Sequence, residues 1–229
     1  MAFRATAAIV AAVSARHVRL VWYVIVAQPV RNDWRIPAKM GRDIFTRWIE
    51  PGDPLFGQVP RPEVVIASRF AQGAICLAAE RNGELLGFIW LCPRRYVEDD
   101  VRCVFVLPPS GETWWDFDVW VQASRRNGIV FAILWQAAHV RLRDAGVLST
   151  CSRITRNNSG SLAAHRRLGA IEVDNVLFAC SHRWQLAIGG KPSVHLSRDD
   201  ANMPRIIISP SLKPSSVPDS AAATSRSRT

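Results

Sequence analysis

The sequence predicts a mixed α/β fold in a single domain, and three observations carry that expectation. Residues 115–121 alternate apolar and polar side chains and lead through a basic glycine turn into an uninterrupted apolar run, the pattern of a strand feeding a helix. Two apolar β-like runs, 75–79 and 85–92, flank Asn82-Gly83, a pair that favours a tight hairpin. Further apolar runs at 18–26, 171–173 and 177–186 supply strands at both ends of the domain.

Taken in order, Val18 to Val26 reads as the first strand, too short to cross a bilayer. Ile36 to Ile49 is read as a helix with Phe45 and Trp48 facing inward, and Pro62 to Ala71 as a helix with proline in its first turn. The hairpin follows. The link from Pro93 to Trp114 holds another β-like run, Val101 to Leu107, and a Pro-Pro-Ser-Gly turn. In the strand from Trp115 to Val121, one face carries Trp115, Phe117, Val119 and Val121; the other carries Asp116, Asp118 and Trp120.

A helix is expected from about Arg126 to Ala145: Arg141 and Arg143 suit the negative end of its dipole, and Gly146 suits a left-handed cap. The turn before it, Ser124-Arg125-Arg126-Asn127-Gly128-Ile129, leaves backbone N–H groups pointing at one spot, a ready anion site. A short strand at Val147 to Arg153 precedes a helix that Asn158 would cap, with Ser161 and His165 one turn apart on one face. Ile171 to Val173 and Leu177 to Leu186 are read as the last two strands.

This order of elements resembles the coenzyme A binding core of the GNAT acyltransferases. Arg125 and Gly128 match the family's turn of Arg or Gln, two residues, Gly, one residue, Gly or Ala; Val130 departs from it, and the turn is one residue shorter measured from Val121. Asn158, Ser161, His165 and Gly169 then follow the family spacing of Asn, small residue, Tyr and Gly, with His in place of Tyr. The resemblance spans about Val18 to Leu186, with its diagnostic motifs between Asp116 and Gly169. It implies a GNAT-like fold, a mixed, mostly antiparallel twisted sheet flanked by helices. It also implies acyl transfer from acetyl-CoA or another acyl-CoA, as co-substrate, to the amine of a small molecule or protein.

In that frame the residues expected to bind the cofactor are Arg125, Arg126, Asn127, Gly128, Ile129 and Val130, with Asn158 and Ser161. The β-branched Val130 is expected to push the phosphates outward or weaken their binding. His165 takes the place of the acid that protonates the departing thiolate; a surface helix residue beside Arg166 and Arg167 is the alternative. Asp118, and after it Asp116, are the candidate bases or amine binders, two carboxylates on one face able to raise each other's pKa. Solvation of an exposed face, or pairing with arginines, is the structural alternative for them.

The chain has 229 residues, 48% of them hydrophobic, and nine Trp, enough for one substantial core. The expected organisation is an N-terminal extension over 1–17, the acyltransferase domain over 18–188, and a disordered Ser/Pro/Arg-rich tail over 189–229. The net charge of +10 sits mostly at the ends, with four Arg and no acid in residues 1–32 and six basic against three acidic residues in 189–229. That distribution, without a nucleic-acid-binding motif, argues against specific nucleic-acid recognition. Five Cys lack any metal-ligand spacing and read as reduced core residues, so no metal is expected and the compartment is expected to be cytoplasmic. Arg4, the apolar run 5–13 and Val-Ser-Ala at 13–15 imitate a short secretory signal, but an ordinary N-terminal helix or a misplaced start codon is the expectation. No membrane partner is expected, and a homodimer is left open. The second reading is a catalytically degenerate GNAT-fold protein that binds acyl-CoA or a protein partner without turnover.

Overall fold

The computed structural model describes residues 18–31, 36–37, 39–126 and 128–210. The N-terminal extension 1–17, residues 211–229 and Asn127 lie outside them.

The strands are β1 (Val18–Pro29), β2 (Phe45–Ile49), β3 (Ile75–Arg81), β4 (Glu84–Cys92), β5 (Arg95–Val97), β6 (Val104–Val106), β7 (Thr113–Val121), β8 (Ser149–Thr155), β9 (Ile171–Ser181), β10 (Trp184–Ile188), β11 (Val194–Ser197) and β12 (Arg205–Ile207). The helices are α1 (Glu63–Ala71), α2 (Val130–Asp144) and α3 (Ser159–Arg167). Nine strands form one sheet in the order β11-β10-β9-β1-β8-β7-β4-β3-β2, and β12-β6-β5 form a small second sheet. In the large sheet every neighbouring pair is antiparallel except β7 and β8. This is the mixed, mostly antiparallel sheet flanked by helices that was expected. Among the described residues no helix is long and apolar enough to cross a membrane.

The sheet buries both faces. On one, α1 and the small sheet pack Ile66, Tyr96, Phe105 and Ile206 against Tyr23, Ile25, Trp90, Trp115 and Phe117. On the other, α2 lays Val130, Leu134, Trp135, Ala138 and Leu142 over Leu77, Ile89 and Leu91, while α3 sets Leu162 against Val24, Val26 and Ile154. Strands buried on both faces lose strict alternation, which is why β1 and β4 read as continuous apolar runs. The β3–β4 turn has positive φ at both central residues, 51° at Asn82 and 79° at Gly83, the geometry that Asn-Gly supplies at little cost.

Several expectations are corrected. Residues 45–49 form strand β2 and not the end of a helix; Phe45 is exposed, while Trp48 packs against the core. Gly41 just before it has φ +67°, and a Cβ there would meet Ile133 Cδ1 at 2.5 Å, so the chain turns tightly over α2. Helix α2 starts at Val130 rather than Arg126, because a 3₁₀ turn over Ala123–Arg125 and the Gly128 bend come first. The run 171–173 joins residues 177–181 in one strand, β9, and the chain reverses at His182, φ +47°, so that the rest of the second run falls in β10.

The expected tail from 189 is overturned for residues 189–210. Strand β11 extends the large sheet beyond β10, and β12 pairs in parallel with β6. Ile206 and Ile208 are buried, at 0% and 3% exposure, and seal the core under the small sheet. The link 93–114 is likewise structured. Three consecutive acids in it are each held by an arginine from a different element: Glu98 by Arg153 of β8 at 2.5 Å, Asp99 by Arg69 of α1 at 2.6 Å, and Asp100 by Arg19 of β1 at 2.7 Å.

Candidate functional site

The parallel pairing of β7 and β8 covers only Thr113–Trp115 against Ser149–Cys151. Both strands continue well past that point, so the sheet opens into a wedge. The cause lies in β7. Asp118 has φ +47°, and the register with β4 slips between Phe88, which faces Trp120, and Trp90, which faces Phe117. This β-bulge bends β7 away from β8. The gap holds a cavity of about 200 Å³ lined by residues 116–119 of β7, residues 152–155 of β8, and Asn158, Ser161 and His165 of α3 and its cap.

The bulge also separates the two aspartates that plain alternation places on one face. Trp115 and Phe117 face α1 and the small sheet, so Asp116 faces α2 and α3. Asp118 bonds to Arg61 and to Arg69, whose Nη1 lies 2.6 Å from its Oδ2. The Arg69 guanidinium lies over the Trp90 and Phe117 rings, 5.3 and 5.2 Å from their centroids, which puts Asp118 on the α1 side. Two bidentate-capable cations leave little of this carboxylate free to take a proton. The geometry thus opposes Asp118 as base and makes it the anchor of α1 to the bulge.

Asp116 stands in the opposite condition. It is 1% exposed, and among the described residues neither carboxyl oxygen has a hydrogen-bond partner of good geometry. Removal from water pushes its pKa up to about 7. The hydroxyls of Thr150 and Ser152 on β8 oppose the rise, yet both stand off from good hydrogen-bond geometry and are themselves unpartnered. The raising agent is burial, not a second carboxylate.

His165 lines the same cavity from α3. Asn158 caps that helix as expected, its Oδ1 accepting from the Ser161 amide at 3.1 Å, and Gly169 ends the turn at φ +89°. The alternative of a surface histidine is excluded: His165 is 4% exposed, with its ring edge-on to Phe131 and Trp135 of α2. Burial pushes its pKa down to about 4, so the imidazole is neutral near pH 7. Nδ1 lies 3.2 Å from Gln28 Oε1 and donates to it, which leaves the lone pair on Nε2. A neutral ring with so low a pKa holds no second ring proton to deliver near pH 7, which opposes the acid role expected for it, and its Nε2 is left as a hydrogen-bond acceptor.

The glycine turn forms a second cavity of about 350 Å³, lined by Ser124, Arg125, Arg126, Gly128, Ile129 and Val130 with Arg81 and Ile44. Arg125 and Arg126 are exposed. The Gly128 amide is used internally, donating to the Arg125 carbonyl at 3.2 Å, and a Cβ on Gly128 would lie 3.0 Å from that oxygen. The remaining donors are those of the first turn of α2, which no side chain among the described residues caps. Val130 is buried at 3%, its Cγ1 3.1 Å from where a Cβ on Gly87 would sit, so its side chain fills the core and does not crowd an anion. Asn158 and Ser161 line the first cavity, not this one, so the expected cofactor residues divide between two cavities.

Sequence reasoning missed Gln28, Thr150, Ser152, Arg61, Arg69 and Arg81. Gln28 was detectable as the one polar side chain in an eleven-residue stretch from Leu20 to Val30. Nothing local distinguishes the hydroxyls or arginines, since only strand register brings Gln28 opposite Thr150 and Val26 opposite Ser152.

No protein-family description matches the chain, and no curated protein matches it. Among solved structures, it is similar to a Drosophila protein at a TM-score of 0.50 and 12% identity, over 78% of this chain and 57% of that one. The chain thus spans less than two thirds of that protein's length. A GCN5-related glucosamine N-acetyltransferase region of a fungal multi-domain GH3 β-N-acetylglucosaminidase gives a TM-score of 0.49 at 15% identity, over 76% and 23% of the two chains. A GNAT family acetyltransferase from Elizabethkingia anophelis, with acetyl-CoA bound, gives 0.40 at 12% identity over 55% and 74%. At such identities the comparisons concern the path of the chain, and the chemistry has to come from its residues.

Proposed function

We propose that this chain, folded as a GNAT-like α/β domain, transfers an acyl group from acyl-CoA to an amine. The observation that carries the reading is the wedge between β7 and β8. Beyond Trp115 and Cys151 the two strands present backbone N–H and C=O groups to a cavity and not to each other. Unpaired strand edges call for an extended partner carrying amides. A pantetheine arm has that character, and its thioester would then lie beside Asp116 and His165.

The second cavity suits the phosphates of the same ligand. First-turn amides of α2, with the cations of Arg125 and Arg126, would make the anion site in the turn that the sequence indicated, while Arg81 at its edge is paired with Asp43. Acyl transfer needs the thioester and amine held together and the tetrahedral oxyanion stabilised, which asks more of placement than of unusual side chains. The acceptor is the amine of a small molecule or a protein, and acetyl and longer acyl groups both fit the reading.

A second reading has an observation in its favour. Asp118 is tied to two arginines and His165 is neutral, so the two residues first expected to do the chemistry are not set for it. A protein that binds acyl-CoA without turnover would tolerate both. Calorimetric titration with acetyl-CoA, followed by an assay of thiol release in the presence of a panel of amines, separates the readings. Saturable binding with amine-dependent thiol release supports transfer, and binding without release supports the second reading. Absence of binding by the wild type would remove both.

A further inference from the structure

We propose that Asp116 is the proton carrier of the transfer, passing the proton lost by the acceptor amine to the sulfur of the departing coenzyme A. This rests on the acyl-CoA reading above.

The argument is geometric. Asp116 sits at the closed end of the wedge, where β7 and β8 part, and it borders the cavity with both oxygens unpartnered at 1% exposure. A buried carboxyl without partners is costly, and in native structures such a group waits for a ligand or holds its proton. The Thr150 and Ser152 hydroxyls beside it are the only groups that oppose its rise, and among the described residues they too have no hydrogen-bond partner of good geometry.

Elimination points the same way. The titratable side chains that share the cavity are Asp118 of the same strand, Arg153 of β8 and His165 of α3. Asp118 is consumed by Arg61 and Arg69, and Arg153 by Glu98. His165 gives its Nδ1 hydrogen to Gln28 and offers only a lone pair, fit to accept from the amine and orient it.

The step balances with one carrier. The amine lone pair attacks the thioester carbonyl and the C–N bond forms. As the tetrahedral intermediate collapses, the C–S bond breaks and the Asp116 O–H proton goes to sulfur, giving the thiol. The Asp116 carboxylate then takes the surplus proton from nitrogen, leaving the neutral amide and restoring the acid. A group that titrates near neutrality is suited to both halves.

The test compares wild type with the near-isosteric Asp116→Asn, using ¹³C NMR of protein labelled at aspartate carboxyls, acetyl-CoA titration, and thiol release with the amine panel. The titration needs no knowledge of the acceptor. The expected result is one carboxyl resonance with a midpoint near neutrality that is absent from the variant, unchanged acetyl-CoA affinity, and thiol release lower by about a hundredfold or more. An Asp116 midpoint in the ordinary carboxylate range, or equal thiol release by the variant, overturns the proposal while leaving acyl-CoA binding standing. Failure of wild type to bind acetyl-CoA overturns the underlying reading and the sulfur step with it.

Discussion

Asp116 and His165 line one cavity in opposite and uncharged protonation states: the acid keeps its proton, at a pKa of about 7, and the imidazole keeps its lone pair, at a pKa of about 4. Burial drives both shifts, because each removes a charge from the interior. The result is a polar cavity in which neither group carries a charge between about pH 5 and 6, and Asp116 begins to ionise as neutrality is reached.

The two groups act on stability with opposite signs. Folded Asp116 binds its proton more tightly than the unfolded chain does, so its contribution is greatest at low pH and is lost as pH rises toward 7. Folded His165 binds its proton less tightly, so stability falls as pH drops below the unfolded value and through 4. Between about pH 4 and 6.5 the two slopes largely cancel in the wild type. Asp116→Asn should expose the histidine slope, losing up to about 3 kcal/mol on acidification across this range, and His165→Gln should expose the aspartate slope, gaining up to about 3 kcal/mol. Urea unfolding across this range checks it, and parallel slopes in the two variants would contradict it.

Arg69 should matter more for folding than its charge alone suggests. Its side chain is 4% exposed and links Asp118 to Asp99 while covering Trp90 and Phe117. Arg69→Met leaves two carboxylates without their shared cation and is expected to cost about 3 to 5 kcal/mol. Asp118→Asn keeps a hydrogen-bond acceptor at the bulge and should cost clearly less. Thermal unfolding of the two variants gives the order directly.

Val130 should be a core residue and not a barrier to phosphate. Val130→Ala is expected to lower stability by about 1 to 3 kcal/mol, because the side chain packs toward Gly87 and Leu134, without tightening acetyl-CoA binding. A gain in affinity would restore the expectation drawn from the family's turn pattern.

Truncation after Ile188 should unfold or strongly destabilise the domain. It removes β11 and β12, and with them Ile206 and Ile208 from the core. Loss of a cooperative melting transition is the expected reading, whereas an unchanged melting temperature would mark residues 189–210 as dispensable.

What the sequence made legible follows from how local each signal is. The Asn82-Gly83 hairpin, the Asn158 cap and the strand–turn–helix order around Gly128 are written in a few adjacent residues, and all are present. The faces of β7 were misread because alternation assumes an unbroken strand, and the positive φ of Asp118 that breaks it is visible only against the register of β4. The same limit hid the partners of Asp116. Thr150 and Ser152 are ordinary residues in a short strand, and they matter because parallel pairing with β7 sets them beside a buried carboxyl. The C-terminal strands were missed for a compositional reason: Ser, Pro and Arg dominate the segment, and Ile206, Ile207 and Ile208 are too short a run to announce a strand that forms by pairing with distant β6.

Hydrogen–deuterium exchange with and without acetyl-CoA tests the binding geometry most directly. The account predicts slowed exchange confined to three segments: residues 117–121 of β7, residues 152–155 of β8, and the turn from Arg125 into the first residues of α2. Protection confined to other parts of the molecule, or none at saturating acetyl-CoA, would contradict the wedge as the acyl-CoA site.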